Sequence, residues 1–313
     1  MNTRISRLLG IDYPIIQGGM IYCAGSKLAA AVSEAGGLGL IGAGSMNPEL
    51  YEHHLKKIRT LTSKPFGVNL PLTYSHIADC IDITLREGVK IVFVSAGSPK
   101  KYTQIFHDEG ITVVHVTSTP ELAVKCEDAG VDAVVAEGTE AGGHNGREEI
   151  TTFCLIPHCV DRVKIPVIAA GGIADGRGMA AALALGAEGV QVGTRFAVTL
   201  ESSAHQTYKE MAVRAGSSDT RLLLKKLIPT RMLKNDFARR VEAAEDLGAQ
   251  AEELKAILGK GRARAGIFNG DAAEGEIEIG QCSAMIKDIP SAKEVVVSMV
   301  QACRVGTEFF NSL

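Results

Sequence analysis

Residues 166–195 read Pro166-VIAAGGIADGRGMAAALALGAEGVQVGT-Arg195. An apolar run ends in a glycine pair, an Ala-rich stretch follows from Gly176 and stops at Gly186, and a second apolar run ends at Gly193-Thr194. Apolar runs of this kind, with no polar alternation, read as strands buried on both faces, which belong to parallel sheets covered by helices. Glycine after an Ala-rich amphipathic segment is a usual helix stop. The stretch is therefore one strand–helix unit running into the strand of the next.

Outward from it the same pattern recurs along the first two-thirds of the chain. Three apolar runs follow a proline: Pro14-IIQGGM, Pro65-FGVNL and Pro166-VIAAGGI. Five follow a glycine, beginning at Gly37 (GLGLIGAG), Gly88 (GVKIVFVSAG), Gly110 (GITVVHV), Gly130 (GVDAVVAEG) and Gly186 (GAEGVQVGT). Between them lie helical stretches with recognisable starts. Asn47-Pro48-Glu49 and Thr119-Pro120-Glu121 each place a capping side chain, a first-turn proline and an early acid in order. Strand spacing of roughly 20 to 35 residues matches one βα unit each. Eight alternating units predict a closed (β/α)8 TIM barrel. An open Rossmann-like sheet is the alternative, but no G-x-G-x-x-G follows the first strand.

After the eighth strand the character changes. Residues 201–280 are charged and helix-rich and are predicted to form a small helical subdomain inserted before the last helix, leaving 1–200 and 281–313 as the barrel. The last helix is predicted to open at the capping box Ser291-Ala-Lys-Glu294. The basic residues Lys225, Lys226, Arg231, Lys234, Arg239 and Arg240 read first as a solvated face; the functional alternative is a landing surface for an acidic partner.

Composition excludes several classes. Of 313 residues, 46% are hydrophobic and 22% charged, ordinary for a soluble enzyme. A net charge of −3, 5% aromatics and no Trp argue against a nucleic-acid partner. No apolar run approaches the ~20 residues of a membrane span, and the N-terminus lacks the apolar core of a signal peptide, so the expected location is the cytoplasm. Seven scattered Cys with no Cys-x-x-Cys spacing predict packed, reduced thiols and no metal site.

In a barrel the ligand site lies at the C-terminal strand ends, and here those ends are rich in glycine. Gly171-Gly172 closes the seventh strand and Gly193-Thr194 the eighth, the usual phosphate loops of the fold. Gly18-Gly19 after the first strand would let a flat ring lie on backbone, and Asn69 ending the third could bond a heteroaromatic edge. After the sixth strand comes Glu137-Gly-Thr-Glu-Ala-Gly-Gly143-His144-Asn-Gly146. A Gly-dense loop with one histidine is poor packing material and suits an imidazole that exchanges a proton at a barrel mouth. The other histidines fit duller places: His53, His54 and His107 in helices, His115 in a strand.

Taken in order, IDYPIIQGGM, SEAGGLGLIG, KPFGVN, AEGTEAGGHNG, IPVIAAGGIADG, VQVGTRF and EIGQ resemble the nitronate monooxygenase (2-nitropropane dioxygenase) superfamily, and within it the bacterial FMN-dependent enoyl-acyl-carrier-protein reductases of type II. The resemblance spans nearly the whole chain. It implies FMN at the barrel mouth, with Gly18, Gly19, Met20 and Asn69 at the isoalloxazine, Glu137 and Gly143 along it, and Gly171, Gly172, Gly193 and Thr194 at the phosphate. It implies His144 as the catalytic histidine. For a reductase it further implies NADH or NADPH as co-substrate, an enoyl thioester on acyl carrier protein or CoA as substrate, and a homodimer. For a nitronate monooxygenase the matching histidine would instead help in proton removal during alkyl nitronate oxidation, and oxygen would reoxidise the flavin. A phosphate-binding barrel without redox chemistry is the reading from another class.

Overall fold

The computed structural model describes residues 1–311, with side chains through 306. Eight parallel strands form the barrel: β1 (Ile15–Gln17), β2 (Gly39–Gly42), β3 (Phe66–Pro71), β4 (Ile91–Ser95), β5 (Thr112–Thr117), β6 (Ala133–Glu137), β8 (Val167–Ala170) and β9 (Gly189–Val192), with a two-residue strand, β7 (Gly143–His144), outside it. Around the sheet β1 pairs with β9, β9 with β8, β8 with β6, and pairing continues in order to β2. The ring closes through an Ile16–Leu38 bridge, where the Leu38 amide donates to the Ile15 carbonyl and the Gln17 amide to the Leu38 carbonyl, both at 2.9 Å. All eight predicted strands are present, and the closed barrel stands over the open sheet.

Strand alternation divides the core in two. Ile16, Leu40, Phe93, Val114, Val135 and Ile168 fill the barrel, while Val68, Val92, Val134, Ala169 and Val190 face the helices. The bottom is plugged by α1 (Arg4–Leu9), whose Ile5 and Leu9 join the interior cluster. Burying each such side chain contributes about 1.5–3 kcal/mol. The ring of helices consists of α2 (Ser26–Glu34), α3 (Pro48–Leu61), α4 (Ile77–Arg86), α5 (Thr103–Asp108), α6 (Pro120–Asp128), α7 (Thr152–Val160) and α8 (Gly176–Ala184). Asn47 and Thr119 cap α3 and α6 by accepting from the Leu50 and Leu122 amides. Beyond β9 come the single turn α9 (Thr194–Ala197), then α10 (Gln206–Arg214), α11 (Asp236–Asp246), α12 (Ala251–Leu258) and the closing α13 (Ala292–Asn311). Ser291 and Glu294 form the reciprocal capping box before α13.

The inserted segment departs from the helical expectation. Besides its helices it holds an antiparallel hairpin, β10 (Thr220–Leu223) and β11 (Thr230–Leu233), and β11 also pairs with β7, so that His144 lies opposite Thr230. The basic residues keep the solvated-face reading except for Arg231. Lys225 pairs with Glu149 at 2.5 Å, Arg239 with Asp236 at 2.6 Å and Arg240 with Glu274 at 2.5 Å; Lys226 donates to the carbonyls of Gly248 and Ala249. Arg231 is not on the surface at all. It is buried, and its Nε donates to the Thr139 carbonyl at 2.9 Å. These cations are spent on local order, which favours the solvated-face reading over a landing surface.

Candidate active site

At the C-terminal rim of the barrel three polar side chains occupy inward positions. Asn69 is flanked in β3 by outward-facing Val68 and Leu70, Glu137 follows outward-facing Ala136, and Gln191 lies between outward-facing Val190 and Val192. Glu137, Ala170 and Gln191 sit on one level across β6, β8 and β9. Burial pushes the Glu137 carboxyl up to about 7. The amide of Asn69 is held loosely, with Nδ2 3.3 Å from the Phe93 carbonyl and 3.4 Å from the Ser95 hydroxyl. The buried Oε1 of Gln191 has no hydrogen-bond partner. Gln191 was not foreseen from sequence, although a lone amide in an otherwise apolar strand, VQV, is a readable signal.

The glycines predicted for the rim meet there. A Cβ on Gly19 would fall 2.1 Å from the Asn69 Cβ, so only glycine lets the backbone after β1 lie on that amide. Gly18 abuts the Gly193 backbone and the Gln191 side chain, and Met20 reaches across with its Sδ near Gly193. Gly171 and Gly172 both adopt left-handed conformations, φ +94° and +72°. In the Cβ direction Gly171 faces the Gly138 carbonyl oxygen at 2.7 Å, which packs the loops after β6 and β8 together. Thr194 is buried and its hydroxyl accepts from the Gly280 amide at 2.9 Å, tying the end of β9 to the segment after the insertion.

The loop carrying His144 is fixed from several sides. The amide and hydroxyl of Thr152 donate to the Glu140 carboxylate at 2.9 Å each, and the Gln281 amide donates to the Glu140 carbonyl at 2.9 Å. Asn145 Nδ2 donates to the carbonyls of Ala141 and Gly143, at 3.0 and 2.9 Å. Arg231 clamps Thr139 from the hairpin. Gly143, at φ +76°, leaves room for the Glu278 carboxyl, whose Oε2 lies 2.5 Å from where a Cβ would stand. Glu278 and its neighbour Glu276 are pushed above the carboxylate range by burial, and Glu276 pushes Glu278 further. His144 itself is exposed at the rim, and desolvation on its protein side holds its pKa below the ordinary imidazole value. Its ring makes no hydrogen bond among the described residues.

This donor set fits a flat heteroaromatic ring with a phosphate tail. Gln191 Oε1 is an acceptor awaiting a donor, Asn69 offers a loosely held amide, and the glycine-lined ends of β8 and β9 leave backbone open to an anion. Among the described residues no group of three or more His, Cys, Asp or Glu could hold a metal ion, and no helix is long and apolar enough to cross a membrane. Cys154 is exposed while the other six thiols are buried and unbridged.

The family model described as nitronate monooxygenase matches residues 2–302. FabK from Thermotoga maritima is 42% identical, with a TM-score of 0.95 over 100% of this chain and 99% of that one. The (3aS,4S,5R,7aS)-5-hydroxy-7a-methyl-1-oxo-octahydro-1H-indene-4-carboxyl-CoA dehydrogenase of Rhodococcus jostii is 32% identical over 96% of this chain and 95% of its own. A "Probable nitronate monooxygenase" of Staphylococcus saprophyticus is 34% identical over 79% of this chain and 82% of its own.

Proposed function

Because the chain belongs to the nitronate monooxygenase family and is a flavin-type oxidoreductase of it, we propose that it is an FMN-dependent, NAD(P)H-consuming reductase of enoyl thioesters carried on acyl carrier protein or CoA, serving fatty-acid synthesis. The observation that carries this reading is the match to FabK, an enoyl-acyl-carrier-protein reductase II, over the full length at 42% identity, insertion included. When bound, FMN supplies hydride transfer from the nicotinamide to the thioester β-carbon.

This chain's residues do the rest. Gly18, Gly19 and Met20 form a backbone shelf for one face of the ring, while Asn69 and Gln191 fix its polar edge. Gly143 and Glu137 lie along it; Glu137, with its carboxyl near half-protonation at neutral pH, presents either a donor or an acceptor to the ring. Gly171, Gly172, Gly193 and Thr194 seat the phosphate. His144, at the rim and with no hydrogen bond to its ring among the described residues, supplies the proton that the α-carbon must gain. The rigid mounting of its loop by Arg231, Asn145 and β11 keeps the imidazole in place for that transfer.

A second reading, oxidation of alkyl nitronates with oxygen, is favoured by the family description and the staphylococcal relatives. Steady-state assays separate the two. The reductase reading expects NADH or NADPH consumption that depends on a crotonyl thioester; oxygen uptake with a nitronate and no nicotinamide would establish the alternative.

A further inference from the structure

A cavity of about 200 Å³ opens beside the proposed flavin shelf, between the end of β1 and the insertion. On the barrel side it is lined by Ile21 and Tyr22, which directly follow Met20, and by Gly44 beyond β2. On the other side lie Gly259, Gly261, Arg262, Ala263 and Arg264, with Glu276 behind them, and Lys260 projects from the same loop outside the lining. Gly259 and Gly261 both have positive φ, +63° and +76°, with open space where a Cβ would stand, so the loop exposes its backbone on either side of Lys260. Tyr22 is itself held at φ 58°, with its amide bonded to the Ser45 hydroxyl and its carbonyl to that of Ser203. Such a conformation is strained for a non-glycine residue and clusters at functional sites.

The charges of the loop are divided unequally. Arg262 is consumed: it donates to the Leu258 and Glu274 carbonyls, pairs with the Glu274 carboxylate at 2.8 Å and lies over the Phe237 ring. Lys260 and Arg264 are exposed, and their side chains form no hydrogen bond or ion pair among the described residues. Burial raises the Tyr22 phenol above its ordinary value, and Arg264 lies close enough to offset part of that rise. Burial holds the Glu276 carboxyl above the usual carboxylate range, against the opposing pull of Arg262. Two exposed cations on a glycine loop, Arg264 lining the cavity and Lys260 on the loop beside it, are matched to an anion of phosphate size.

We propose that Lys260, Arg264 and Tyr22 form a phosphate subsite that anchors the nucleotide end of the second substrate while its reactive end reaches the flavin. This rests on the reductase reading for the existence of such a substrate. Its chemistry, a phosphate ester or diphosphate on an adenosine, is shared by the dinucleotide reductant and by coenzyme A thioesters.

The test measures equilibrium binding to the flavin-loaded protein, not turnover, so it stands apart from whether enoyl reduction occurs. NADPH, NADH and crotonyl-CoA are titrated against wild type, Lys260→Gln, Arg264→Gln and the double variant, with flavin content and melting temperature as controls for folding. Each single change should weaken one or more ligands by roughly tenfold or more, the size of one charge-assisted hydrogen bond. Weakening of NADPH alone assigns the ribose 2′-phosphate; equal weakening of NADPH and NADH assigns the diphosphate. Weakening of crotonyl-CoA alone assigns the acyl carrier. Affinities within twofold of wild type for all three ligands in the double variant would overturn the subsite, as would no binding of any of them to wild type.

Discussion

His144 stands with one side in water and the other against protein, and the desolvated side lowers its pKa. That direction makes pH dependence informative. A histidine that hands its proton to a carbon must be protonated, so turnover of an enoyl thioester should fall as pH rises through the lowered pKa, below the usual value of about 6.5. A histidine that takes the α-proton of a neutral nitroalkane to give the nitronate must be neutral, and its rate would climb with pH through the same value. A kcat profile from about pH 5 to 8 with each substrate reads the sign directly. Replacing the residue gives the companion result. His144→Ala should retain flavin, because the phosphate loops lie elsewhere, and lose about 100-fold or more in turnover; unchanged turnover would remove His144 from the reaction. His144 was readable from sequence because a lone imidazole among glycines has no packing role. Gln191 was passed over although its lone amide in an apolar strand is a signal, and Arg231 was counted as a surface charge. Only the fold reveals that one faces inward and the other is buried.

Among the elements, the eight barrel strands were legible for a physical reason: strands covered on both faces must be apolar throughout, and each is introduced by a proline or glycine. The hairpin β10–β11 offered no such signal. Its strands are four residues long, carry Arg221 and Arg231, and are flanked by lysines, which together read as a charged helix. What makes β11 a strand is pairing with Gly143-His144, nearly ninety residues earlier, a tertiary contact that overrides local propensity. The insertion is thus part of the rim that carries His144 and not an appendage to it. The loops after β6 and β8 depend on one another in the same way, through Gly171. Gly171→Ala would force an L side chain to φ +94° and into the Gly138 carbonyl. It should cost about 1–3 kcal/mol of stability and loosen flavin retention, seen as a lower melting temperature and a larger rise on adding FMN than wild type shows. A variant with wild-type melting and full flavin would mean that the two loops are less tightly coupled than this packing implies.

At the scale of the whole molecule, α1 closes one end of the barrel, the glycine-rich rim opens the other, and the insertion lays β11, the Gly259–Arg264 loop and the Glu276–Gly280 segment around that opening. Such an arrangement allows a ring to be gripped at the rim while a second molecule enters beside it. The decisive question is which oxidant the reduced flavin accepts. The most direct measurement is to reduce the FMN-loaded protein anaerobically with NADPH or NADH, then mix it in separate shots with crotonyl-CoA and with oxygenated buffer, following the return of the yellow oxidised flavin. Fast reoxidation by the thioester, well ahead of that by oxygen, is the expected result and would establish an enoyl reductase. Failure of both nucleotides to reduce the flavin, or reoxidation by oxygen with no response to the thioester, would contradict it.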